Sequence, residues 1–213
     1  MLKTRKLIKK IPKTDSFGGL EDLRIRIKQI CNNLSIQYGL INELPDNSSL
    51  VHSQGNSAIC LYKTINDVNR CIAGIGFETY DYDGKQYLEI NSITQESERQ
   101  KGYNKFLRCI LIMFATEIMG RKIDYIASMP MNYLSAYSLM NYFSYKLNDD
   151  IEHEFLDFKD KYKHKVDLFN MLRQAYEQNK GVQYIMIPLS VNNRIKAKTI
   201  VDTILDHELL FCD

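Results

Sequence analysis

Several chemistries are missing from the sequence. The five cysteines (Cys31, Cys60, Cys71, Cys109, Cys212) are odd in number and widely spaced, with no C-x-x-C pair. That argues against a zinc ribbon and a disulfide scaffold and points to a reducing compartment. His52, His153, His164 and His207 show no H-x₃-H spacing, so no metal is expected. There is no G-x-S-x-G elbow and no G-x-x-x-x-G-K-[ST] loop, which removes the usual hydrolase and nucleotide-phosphate signatures. No uncharged apolar run approaches the ~18 residues of a membrane helix, and the first residues lack the apolar centre of a secretory signal. Internal repeats, low-complexity tracts and a linker between two domains are absent as well.

What is present is an ordinary globular composition. The 213 residues are 45% hydrophobic and 25% charged, which suits one domain with extensions. The net charge of +2 is unevenly placed. Lys3, Arg5, Lys6, Lys9, Lys10 and Lys13 form a basic arm without an acid, leaving 22 basic against 26 acidic groups in the remainder. Such an arm suits a nucleic-acid or anionic-lipid contact, and equally a solvated tail.

Leu20, Leu23, Ile27, Ile30 and Leu34 recur at helical spacing and predict a helix over 20–37, stopped by Gly39. Residues 42–57 read as a loop, and Ala58–Tyr62 as a short buried strand. Cys71–Tyr80 and Tyr87–Thr94 read as strands joined by a hairpin at Asp83-Gly84. A helix follows through Phe106, Leu107, Ile110, Leu111, Phe114 and Ile118, ended by Gly120. Then come a strand at 123–127, a helix at 132–145, a long helix at 149–179, a strand at 182–189 and a last helix at 195–210. Interleaved strands and helices give an α/β or α+β domain with one sheet.

One stretch combines several useful features. A strand ends near Thr94, a charged turn carries Arg99 and Lys101, and Gly102 opens a long amphipathic helix. The first N–H groups of a helix have no partner within it and, with the dipole, favour phosphate oxygens. Glycine lets that backbone approach a ligand closely.

Here the chain resembles the GNAT acetyltransferase superfamily, whose acetyl-CoA loop reads Q/R-x-x-G-x-G/A. Arg99 and Gly102 match, and Asn104 stands where the family prefers Gly or Ala. The order of elements over residues 20–190 matches too. The resemblance implies a GNAT-like single α/β domain, a twisted mixed sheet flanked by helices, with 149–179 as a long inserted helix. Residues 1–16 would then be a basic arm, 17–190 the acyltransferase domain and 191–213 a C-terminal helix.

It further implies transfer of an acetyl group from acetyl-CoA to a primary amine by direct attack in a ternary complex. The backbone at Ile93, Thr94 and Gln95 would hold the pantetheine arm, with amides near 94–95 polarising the thioester carbonyl. Gln100, Lys101, Gly102, Tyr103, Asn104 and Lys105 would hold the pyrophosphate beside Arg99. Some members carry a glutamate on the motif strand, which makes Glu89 the candidate base, one residue out of register. The family's later tyrosine position is Met140 here, so Tyr137, one turn earlier, is the substitute acid. The expected location is intracellular and cytoplasmic, with a nuclear one open, and the expected state a monomer or homodimer without a membrane partner. The other readings are an acyl-CoA-binding module without turnover, and a nucleic-acid-associated protein using residues 3–13.

Overall fold

Hydrophobic alternation and two turns of positive φ build the first half of the molecule. A computed structural model describes residues 18–45, 56–147, 165–178 and 184–207. The basic arm, Cys212, and residues 149–164 and 179 of the expected insertion lie outside the described residues.

Helix α1 spans Leu20–Ile30 and buries Leu23 and Ile27, with the Asp22 carboxylate accepting from the Gly19 N–H at 2.9 Å. The expected helix over 20–37 is corrected here. The chain turns at Asn32-Asn33 and continues as strand β1, Leu34–Leu40, so Gly39 lies inside a strand. Leu34 sits four residues after Ile30, which imitates a helical stripe. Its true period is two, with Leu34 and Ile36 buried and Ser35 and Gln37 less so.

Strand β2 covers Ser57–Ile65 and β3 covers Val68–Tyr82, both longer than the sequence suggests. Asn66 (φ 50°) and Asp67 (φ 62°) join them, and Asp83 (φ 50°) with Gly84 (φ 66°) joins β3 to β4, Lys85–Thr94. Two successive left-handed residues match the twist of a two-residue hairpin, and Asn, Asp and Gly tolerate them best.

Helix α2, Tyr103–Met119, is capped at its C-terminus by Gly120 in the left-handed region. Strand β5 is Tyr125–Ser128 and helix α3 is Tyr133–Met140, whose cap Asn132 accepts from the Ser135 N–H at 2.9 Å. A two-residue strand β6, Lys146–Leu147, has no counterpart in the sequence pattern. Helix α4 is Lys165–Glu177, β7 is Ile185–Pro188 and α5 is Val191–Asp206. The last helix starts earlier than expected because Ser190 Oγ accepts from the Asn193 N–H.

The seven strands among the described residues form one mixed sheet in the order β1-β2-β3-β4-β5-β7-β6. Every pair is antiparallel except β4 with β5. Ile36, Ile75, Phe77, Leu88, Ile90, Ile126 and Ile187 face one side and share a core with α1, α2 and α5. α2 is buried on nearly its whole surface from Tyr103 to Ala115, since the sheet and α5 enclose it. The other side of the sheet carries a smaller cluster around Cys60, Tyr62 and Cys71. It also carries a tier of tyrosines, in which Tyr87 stacks between Tyr80 (5.0 Å) and Tyr125 (5.1 Å). The described part of the expected long helix packs within the molecule: Phe169 meets the rings of Tyr133 and Tyr137 edge-on, and Leu172 is fully buried. No described helix is long and apolar enough to cross a membrane.

Candidate functional site

The parallel pair at the centre of the sheet is short. β4 and β5 run together only from Tyr87↔Tyr125 to Ile90↔Ser128. Beyond that point β4 continues to Thr94 paired with β3 alone, while the chain after Ser128 departs toward α3. The gap becomes a cavity of about 590 Å³. Its walls are Ile90–Thr94 on one side and Ser128–Asn132 with α3 on the other, and the start of α2 closes it.

The α2 start is shaped by two left-handed residues, Gln100 at φ 68° and Gly102 at φ 84°. A side chain at position 102 would be strained, which explains the glycine. The first intrahelical bond is Phe106 N–H to Gly102 O at 3.0 Å, so the amides of 103–105 belong to the open first turn. Lys101 pairs with Glu98 at 3.0 Å, and Lys105 Nζ lies 4.8 Å from the centre of the Tyr142 ring. Arg99 is exposed, 3.9 Å from Glu96.

The structure thus gathers Ile93, Thr94, Arg99, Gln100, Gly102, Tyr103, Asn104 and Lys105 around one cavity. Gln95 and Lys101 are beside it but do not line it. The Gln95 N–H donates to Ile72 O at 3.0 Å and its side chain to Cys71 O at 2.7 Å. Among the amides expected near 94–95 to polarise a thioester, that of Gln95 is therefore committed to β3. Asn104, at the position of the family's small residue, has a buried Oδ1 without a hydrogen-bond partner among the described residues.

Glu89 and Tyr137 stand outside the cavity lining. Leu88 and Ile90 point into the α2 core, so Glu89 faces the other side, where it pairs across strands with Glu78 and Ala127. Tyr184, which sequence reasoning does not single out, donates its hydroxyl to Glu89 Oε1 at 2.9 Å. That bond to a carboxylate pushes the Tyr184 hydroxyl above its ordinary pKa, with burial adding to the effect. Tyr137 is half-buried against Phe169.

A second residue escapes the sequence reading. Arg108 lines the cavity from α2 and bridges Ser92 on β4 (2.7 Å) to Ser138 on α3 (3.0 Å). A signal for it exists: it is the only charge in the run Phe106–Glu117 before the terminal glutamate.

The fold is a mixed sheet flanked by helices, as the resemblance to the GNAT superfamily implies. It has the splayed β4–β5 pair, the glycine turn after β4 and the helix that follows, in the order that the resemblance implies. No family model matches the sequence, and no curated protein matches it. Among solved structures the chain is similar to the KacTA–DNA complex at 8% identity and a TM-score of 0.43, covering 79% of this chain and 99% of that one. It is similar to AtaTR bound with AcCoA at 7% identity and a TM-score of 0.43, covering 79% and 98%. N-acetylglutamate synthase from Neisseria gonorrhoeae, complexed with coenzyme A and N-acetyl-glutamate, is similar at 11% identity and a TM-score of 0.36, covering 83% of this chain and 34% of that one. Identities this low leave the site to be read from its own geometry.

Proposed function

We propose that the protein is an acyltransferase that moves an acyl group, acetyl in the simplest case, from its CoA thioester to a primary amine. The observation that supports this most is the cavity where β4 and β5 part, closed by a helix N-terminus whose cap is Gly102 at φ 84°. Pyrophosphate oxygens would meet the first-turn amides of α2 with Arg99 nearby, and the pantetheine arm would lie along the edge of Ile93 and Thr94 that β5 leaves uncovered.

In the reaction the amine nitrogen attacks the thioester carbonyl, a C–N bond forms, the C–S bond breaks and CoA leaves as thiolate. One proton leaves the nitrogen and one reaches the sulfur. A lysine-like amine with pKa near 10.4 is neutral in only about one part in 10³ at pH 7, a penalty of roughly 4–5 kcal/mol. A general base must lower that barrier. We assign the role to Glu89, acting through water because it stands outside the cavity lining, with Tyr184 holding its carboxylate. Tyr137, the substitute acid, stands outside the cavity lining with its ring against Phe169, so we assign the thiolate's proton to solvent.

The position of Glu89 and Tyr137 off the cavity also favours a second reading, a CoA-binding module without turnover. Calorimetry with CoA, followed by thiol release from acetyl-CoA across a panel of amines, separates the two. Absence of CoA binding removes both.

A further inference from the structure

Arg108 is the most anomalous charge among the described residues. The residue is 6% exposed, and its guanidinium touches two neutral hydroxyls, those of Ser92 and Ser138, while Nε has no partner among the described residues. Of the five N–H donors of an arginine, two are thus engaged. No described carboxylate pairs with it. Burial without a counter-charge pushes its pKa down to about 10. A buried ion normally carries a penalty of several kcal/mol unless it is paired. A chain retains such a group where a ligand supplies the missing charge.

The location says which part of a ligand that is. Ser92 lies two residues past the last β4–β5 pair, and Ser138 is on the helix after β5, so Arg108 spans the gap between the parted strands. Arg108 follows Gly102 by six residues, which at 1.5 Å per residue is about 9 Å along the helix axis. The guanidinium is turned to Ser92 and Ser138, between β4 and α3, and not to the first-turn amides of α2 where phosphates would be held. The acyl end of a CoA thioester is the part that enters the gap. A guanidinium suits a planar carboxylate better than any neutral group, because two parallel N–H···O bonds form at once.

We infer that the site takes acyl donors whose chain ends in a carboxylate, succinyl-CoA being the type, with Arg108 as the specificity residue. This rests on the acyltransferase reading and names its donor class. The transferred group changes and the chemistry does not: the amine nitrogen bonds to the thioester carbon, sulfur leaves, and the distal carboxylate stays ionised against Arg108.

Calorimetry on the full chain tests it with three probes: CoA, acetyl-CoA and succinyl-CoA. The wild-type protein should bind succinyl-CoA at least about tenfold more tightly than acetyl-CoA. Arg108→Met should abolish that preference while leaving CoA affinity unchanged, and Arg108→Lys should retain part of it. Equal wild-type affinity for the two thioesters overturns the inference without any variant. So does a uniform loss for all three probes in a folded Arg108→Met, since that marks a strut or a phosphate contact. If CoA itself does not bind, the acyltransferase reading fails and the inference falls with it.

Discussion

The Tyr184 hydroxyl donates to Glu89 Oε1 at 2.9 Å, tying the middle of β4 to the residue that leads into β7. Strand β5 lies between them in the sheet, so the contact reaches over β5 on the face away from α2. Glu89 is half-buried there and directly opposite Glu78, an arrangement of like charges that weakens strand pairing. Glu89→Gln should lower kcat for thiol release by about 10²-fold, the scale of a lost general base, with little change in CoA affinity. Tyr184→Phe should cost less than about tenfold, since the carboxylate survives and only its orientation loosens. Steady-state rates for the two variants check this; full activity in Glu89→Gln ends its assignment as base.

Gly102 gives a prediction that separates backbone strain from ligand recognition. At φ 84° any side chain is strained, so Gly102→Ala should lose about 1 kcal/mol in urea unfolding and keep measurable CoA binding. Gly102→Glu adds a carboxylate beside the first turn of α2 and should abolish CoA binding in a chain still folded by circular dichroism. Unchanged affinity in the glutamate variant would place the phosphates elsewhere.

Alkaline pH should loosen the molecule through its tyrosines. Burial pushes Tyr80 up to about 12, with the Glu89 charge adding to it, and burial alone does the same to Tyr176. Unfolded, both titrate at their ordinary value of 10.0. Their folded pKa is the higher one, so the stability they contribute is complete below pH 10 and is lost as pH rises toward 12. Urea midpoints measured across that window should fall, and Tyr176→Phe should flatten the fall.

Asn193 is a structural keystone at the far end of the sheet. It is fully buried, accepts from Ser144 N–H and donates to Ser144 O and Pro188 O, each at 2.9 Å. Asn193→Leu leaves those backbone groups buried without partners and should cost about 2–4 kcal/mol. Chemical denaturation of the variant measures it; a loss below about 1 kcal/mol would mean that water replaces the amide.

Much of this fold is legible in the sequence where local chemistry and tertiary packing agree. Asp83-Gly84 forms the expected hairpin, and Gly120 ends α2 as expected, because only a few residue types suit those dihedrals. β1 is hidden because Leu34 continues the spacing of α1 by coincidence, and only pairing with β2 reveals it. β6 has two residues and no pattern of its own. At the site, the turn from Arg99 to Lys105 announces itself through glycine and charge. Tyr184 does not, since its partner Glu89 is 95 residues away. Arg108 is an intermediate case, visible as a lone charge in an apolar helix but explained only once Ser92 and Ser138 converge on it.

The short parallel junction also governs how the molecule comes together. β2–β3 and β3–β4 are hairpins between sequence neighbours, whereas β5 reaches β4 only after the whole of α2. Local pairs need less loop closure, so the meander through β4 and the group of β5, α3, β6 and β7 are natural cooperative units. The cavity belongs to neither. Ser92 and Thr94 come from the first unit, Ser128 and Ser138 from the second, and Arg108 from the helix that joins them. A molecule bound there holds only to the docked form, and so acts as a clasp across the seam. At a hundredfold excess over its Kd it adds about 2.7 kcal/mol to the cohesion of the two units.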